Sequence, residues 1–171
     1  MTNSGLILRN ATSALHGKKV VNLRVAFVVA EFDRDVSDQL IWLFRENGIK
    51  CWTERDILPG SNHFGAIRRA YKEADFILVF LSKASVARSG EYQKYINLAI
   101  DASDEMPEGG IKLIPICLEQ CEVPFSLQKF YSVAATQPDA LLRLVLAWAK
   151  EWQRRHGADD WPDVVYQSVW E

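Results

Sequence analysis

The chain has 171 residues, 49% hydrophobic and 11% aromatic, with 20 basic against 22 acidic side chains. That length suits one compact domain with enough apolar material for an ordinary core, which excludes a disordered or collagen-like chain and a scaffold dependent on disulfides or metal. A formal charge of −2, with no long block of one sign, excludes strong attraction to nucleic acid or an anionic membrane surface.

Residues 1–22 carry no clear periodicity and are expected to form an N-terminal arm; the stretch Gly5-Leu6-Ile7-Leu8 is too short for a signal peptide's apolar region or a membrane span. Cys51, Cys117 and Cys121 form an odd set without a CxxC pair, which fits a reducing compartment and predicts a cytoplasmic protein. Residues 23–30 are almost continuously apolar, the pattern of a strand buried on both faces. Val36, Leu40, Ile41, Leu43 and Phe44 follow helical spacing up to an Asn47-Gly48 stop. Residues 49–52 read as a second strand, and Leu58-Pro59-Gly60 as a loop. Ser61 or Asn62 suits the cap of a helix carrying Phe64, Ile67, Ala70 and Tyr71.

Residues 76–81 give the strongest strand signal, and a helix is expected from about 90 to 102. Residues 111–118 read as another buried strand, with an irregularity at Pro115. Residues 130–134 form a short last strand, and Pro138 opens a helix bearing Leu141, Leu142, Leu144, Val145, Trp148 and Trp152. The doublets Arg68-Arg69 and Arg154-Arg155 read as solvated or partner-facing. The folded domain is thus expected over 23–155, followed by an extension over 156–171 whose Trp161 and Trp170 suit an anchor on a partner.

Strands alternating with helices predict a flavodoxin-like, three-layer α/β fold, with a five-stranded parallel sheet in the order 2-1-3-4-5. A site is expected outside the carboxyl ends of the strands. Common uses of such a fold leave marks that are missing here. Ala30 is followed by Glu31-Phe32-Asp33, with no glycine-rich dinucleotide turn; no phosphate loop ending in GK[ST] occurs; Leu81-Ser82 stands where a phosphoryl-accepting receiver has aspartate. The three histidines are scattered, so no metal is expected.

Three segments are distinctive together: Cys51-Trp52-Thr53-Glu54-Arg55-Asp56-Ile57-Leu58-Pro59-Gly60, Ala74-Asp75-Phe76-Ile77-Leu78-Val79-Phe80-Leu81-Ser82, and Leu113-Ile114-Pro115-Ile116 with Cys121-Glu122-Val123-Pro124. Over about residues 23–150 the chain resembles a Toll/interleukin receptor (TIR) domain, of the kind common in prokaryotic defence and signalling proteins. The resemblance implies two activities. Some members cleave the nicotinamide–ribose bond of NAD, releasing ADP-ribose products. Others only associate, through the loop after the second strand.

Cleavage develops oxocarbenium character at the ribose, so a carboxylate must stand nearby. The family's glutamate lies in a pattern close to Ser-x-Trp-x-x-x-Glu. Here the stretch is Ser89-Gly90-Glu91-Tyr92-Gln93-Lys94-Tyr95, with Glu91 in the tryptophan's place and Tyr95 in the glutamate's. A phenol, with pKa near 10, is neutral at physiological pH and supplies no negative charge. The resemblance therefore implies a signalling or defence module with impaired or absent NAD cleavage. The alternative is an active NAD glycohydrolase or ADP-ribose cyclase using Glu91, one turn from Tyr95 on the same helix face.

Under that alternative Trp52 stacks on a flat base, Ser82 touches ribose, and Glu31 and Asp33 line the cleft; their structural readings are a core tryptophan, a helix cap and polar loop residues. Glu91 equally suits a first-turn helix acid. Glu54, Arg55, Asp56, Pro59 and Gly60 form the expected interface. The implied partners are other TIR domains, self or heterotypic, and a defence-system effector protein, without nucleic acid or membrane. No cofactor is implied, NAD entering as substrate or ligand.

Overall fold

The computed structural model describes residues 23–157. The expected arm over 1–22, and residues 158–171 with Trp161 and Trp170, lie outside the described residues. Five parallel strands, β1 (Arg24–Val28), β2 (Lys50–Trp52), β3 (Phe76–Leu81), β4 (Leu113–Cys117) and β5 (Val133–Ala134), form one sheet in the order β2-β1-β3-β4-β5, as the sequence predicts. Between and after them lie α1 (Arg34–Glu46), α2 (His63–Glu73), the short α3 (Lys83–Val86), α4 (Glu91–Asp104) and α5 (Ala140–His156).

The apolar runs contain a period of two that separates two cores. In β1 and β3, Val25, Phe27, Phe76, Leu78 and Phe80 face one layer, where Leu40 and Phe44 of α1 and Leu141, Leu144, Val145 and Trp148 of α5 cover them. Ala26, Val28, Ile77, Val79 and Leu81 face the other, under Ile67 and Tyr71 of α2 and Tyr95, Ile96 and Ala99 of α4. Trp148 is fully buried between the rings of Phe44 and Phe76, each with its centroid 5.6 Å away.

Sequence punctuation sets most boundaries. Asn47 and Gly48 (φ 82°) end α1; Asn62, rather than Ser61, caps α2, its Oδ1 accepting from the Gly65 amide at 2.7 Å. Pro115, expected to disturb its strand, instead lies in regular register opposite Val79. The carbonyl of Lys112 and the amide of Leu118 bond to β3, whereas the Cys117 carbonyl accepts from Ala135 on the β5 side. By alternation the Pro115 nitrogen faces β5, so the bond it cannot make belongs to the weaker side. The same vacancy explains why β5 is two residues rather than the expected five, pairing only with Ile116 and Cys117.

Of the Arg154-Arg155 doublet, Arg154 is exposed as expected, whereas Arg155 is largely covered. Both guanidiniums bond the carboxylate of Glu151, itself 2% exposed, at 2.7–2.9 Å. Arg155 also donates to the carbonyls of Asp75 (3.0 Å) and Ile111 (2.7 Å) and lies over the Phe76 ring. This ties the end of α5 to the amino ends of β3 and β4.

Candidate functional site

The carboxyl ends of β1, β2 and β3 feed three short connections that meet over the sheet. After β1, a 3-10 turn over Glu31–Asp33 leads straight into α1. After β2, Thr53 caps a second 3-10 turn over Glu54–Asp56; its Oγ1 accepts from the Arg55 amide at 3.3 Å, and Asp56 accepts the Thr53 amide at 2.8 Å. After β3, Ser82 caps α3, with Ser85 returning the bond at 2.8 Å. The chain then crosses Gly90 (φ 120°), a conformation costly for any residue with a Cβ, and enters α4 at Glu91.

Between these connections lies a cleft of about 250 Å³. Its charged lining is Glu31, Arg34, Glu54, Arg88 and Glu91, with Phe32, Tyr92 and Tyr95 as its aromatic walls. The Arg88 guanidinium stands 4.1 Å above the half-exposed Phe32 ring. Arg34 pairs with Glu54 at 3.4 Å, and its buried Nε has no hydrogen-bond partner. Tyr95 donates its hydroxyl to Glu91 Oε2 at 3.3 Å, and His63 Nε2 lies 2.9 Å from the Tyr95 hydroxyl oxygen. One phenolic proton serves one partner, so with it directed at Glu91 the His63 Nε2–H donates to the phenol. Burial, then the neighbouring charge of Glu91 and its hydrogen bond, then Glu54, push the Tyr95 hydroxyl up to about 12. It is a neutral donor across the physiological range.

Beneath the cleft, Ser82 donates to the buried carboxylate of Asp33 at 2.9 Å. Burial raises the Asp33 carboxyl above its ordinary value, against the Ser82 bond and with the nearby Glu119 charge. Tyr92 donates its hydroxyl to the Phe80 carbonyl. Asp33 and Ser82 are thus joined to each other and adjoin the cleft through Ser85, one of its lining residues.

The structure therefore brings Glu31, Glu54, Glu91 and Tyr95 together. It puts Trp52 elsewhere, lining a hollow of about 430 Å³ with Ile57 and Leu58 and meeting Tyr71 edge-on at 5.9 Å. Arg55, Asp56, Pro59 and Gly60 lie on the exposed loop, Arg55 bonded to Asp38 of α1. Leu58 is 73% exposed at its tip, and Trp42 of α1 is 63% exposed beside Arg55. Sequence reading missed Phe32, Arg34, Arg88, Tyr92 and His63. Phe32 and Arg34 flank Asp33 after β1, so the rule that sites lie beyond carboxyl strand ends reaches them; nothing in linear spacing marks His63.

Chemically, the cleft offers a flat ring under a guanidinium, a second guanidinium with a free N–H, and carboxylates for hydroxyl groups. Among the described residues no three His, Cys, Asp or Glu side chains group as metal ligands would, and no helix is long and apolar enough to cross a membrane.

Residues 25–146 match the family model described as the TIR domain. Among solved structures, the chain is similar to the crystal structure of the TIR domain of the Toll-related receptor TRR-2 from the lower metazoan Hydra magnipapillata, with 22% identity, a TM-score of 0.53, and coverage of 76% of this chain and 95% of that one. No curated protein matches the sequence significantly.

Proposed function

The chain belongs to the TIR domain family, and from that premise we propose that it is an association module of a signalling or defence assembly of prokaryotic type, with impaired or absent NAD cleavage. The observation that carries this reading is the occupancy of the cleft's carboxylates. A neutral phenol stands at position 95 and takes up one oxygen of Glu91 at 3.3 Å, while Arg34 takes up Glu54 at 3.4 Å. Charge already committed to a donor stabilises a developing ribosyl cation less. The loop supports the associating role: its turn is held by a capping box, and it displays Leu58, with Arg55 beside Trp42, at little ordering cost. Other TIR domains, in the same or a different chain, are the partners this surface suits, with an effector protein of the same system downstream.

One observation favours a second reading. Glu91 and Tyr95 line one cleft together, so a relocated carboxylate is within reach of anything bound there. Hydrolysis would then convert NAD and water into ADP-ribose, nicotinamide and a proton. Nicotinamide release at high protein concentration with crowding separates the two. The first reading expects none from the native chain and a gain on Tyr95→Glu. Native turnover abolished by Glu91→Ala rejects it in favour of the second. For association, Leu58→Ser and Pro59→Ala are expected to reduce self-association in light scattering with unchanged melting; association indifferent to both removes the loop as interface.

A further inference from the structure

The cysteines have no part in the cleft or the loop, and the fold divides them into one and two. Cys51 lies on β2, its thiol directed at the carbonyls of Ile49 (3.7 Å) and Ile41 (4.0 Å). Cys117 is the last residue of β4, and Cys121 follows four positions later. Alternation along β4 sets the face of Cys117. Ile114 and Ile116 join the core under α1 and α5, so Cys117 turns with Leu113 to the layer under α2 and α4. The chain bends over residues 118–120 and returns Cys121 to that same layer. There the thiols of Cys117 and Cys121 are hydrogen-bonded to each other.

The strand side of this pair is anchored. The Leu118 amide donates to the Leu81 carbonyl and the Ala135 amide to that of Cys117, each at 2.8 Å. Both cysteines are partly exposed, so a small reagent reaches them. Burial first, then the adjoining Cys117, then Glu119 and Asp33, push the Cys121 thiol up to about 12. With so little thiolate at neutral pH, its first reaction is slow. The neighbouring sulfur governs the second: once one thiol is bonded to an oxidant, the other already stands beside it.

We propose that Cys117 and Cys121 are a reversible redox modification site, at which a small disulfide oxidant converts the two thiols into one Cys117–Cys121 disulfide. One thiol gives up its proton and attacks a sulfur of the oxidant, whose sulfur–sulfur bond breaks; the departing thiolate takes that proton. The second thiol then attacks the protein sulfur of the mixed disulfide and expels the other half of the oxidant as a thiol. The two cysteines lose two electrons and two protons, and the oxidant gains them. Closing the bond shortens the sulfur contact to about 2.05 Å, and the bend over 118–120, outside any strand or helix, takes up the movement. An excess of small thiol runs both steps backwards. The site stands whether or not the cleft cleaves NAD and whether or not the 54–61 loop associates.

Glutathione disulfide is the probe. The folded native chain is incubated with it, quenched in acid, alkylated and digested with trypsin; the peptide over 113–129 carries both cysteines, and that over 51–55 carries Cys51. Mass spectrometry is expected to show the 113–129 peptide lighter by two hydrogens, its alkylation reduced by about tenfold or more, with Cys51 alkylated as before and circular dichroism unchanged. Dithiothreitol restores alkylation. Cys117→Ser and Cys121→Ser each abolish the loss of two hydrogens, the remaining cysteine holding glutathione instead, and Cys51→Ser leaves the loss intact. Thiols of 113–129 that stay alkylatable, a disulfide that includes Cys51, or one that forms only in urea overturns the proposal.

Discussion

Asp33 is a carboxylate that burial works against. Its pKa is raised in the folded chain, so folding disfavours its charge, and its contribution to stability is fullest at low pH and is lost as pH rises through the raised value. Asp33→Asn keeps an oxygen for the Ser82 hydroxyl and removes the charge. It is expected to stabilise the chain at pH 7 by up to about 1 kcal/mol, measured by urea unfolding. That gain disappears below about pH 4, where aspartate is protonated folded and unfolded alike. Destabilisation at pH 7 would mean the charge itself is needed. Position 95 shows what sequence reading reaches at this scale. The tyrosine was legible, since it occupies the place where the resembling family has a carboxylate. Its partners were not: His63 is 32 residues away and Glu54 and Arg34 come from two other connections, so only folding brings them to the phenol.

Among the elements, α5 divides into a legible and an illegible half. Leu141, Leu144, Val145 and Trp148 repeat at helical spacing and are all buried. One turn beyond Trp148 the same face carries Glu151, which apolar periodicity treats as an exposed position. Burial raises the Glu151 carboxyl, but the hydrogen bonds from Arg154 and Arg155 outweigh this and hold it below the ordinary carboxylate range. A depressed folded pKa gives stability that is present above the unfolded value of about 4.3 and lost as pH falls through the folded one. Glu151→Gln is expected to cost about 2–4 kcal/mol at pH 7, as when one member of a buried pair is removed, and to flatten the acid limb of the stability curve. An unaltered acid limb would show that the two arginines, not their carboxylate, anchor the helix. The length of β5 differs from expectation for a related reason: a proline's effect depends on which neighbour its nitrogen faces.

On the scale of the whole molecule, the alternation of apolar strands and amphipathic helices was enough to give the sheet order, because crossover handedness leaves few alternatives. The surfaces were not so legible. Trp42 and Phe125 are hydrophobic residues that composition alone would assign inside, and their exposure emerges only once both cores are filled; Leu58, read as part of a loop, is exposed as well. With the 54–61 loop joining copies as proposed, light scattering is expected to show species growing with concentration, and Leu58→Ser to leave monomers. Growth unchanged in Leu58→Ser would mean that the loop does not build the assembly.

Pro115 limits pairing on one side of β4 alone. Where β5 does not cover that strand, a segment laid against it would need an amide donor where a pyrrolidine ring stands. The carboxyl end of β4 is therefore left to carry the whole join to the last strand, and the sheet closes on that side through two residues and the helix that follows them.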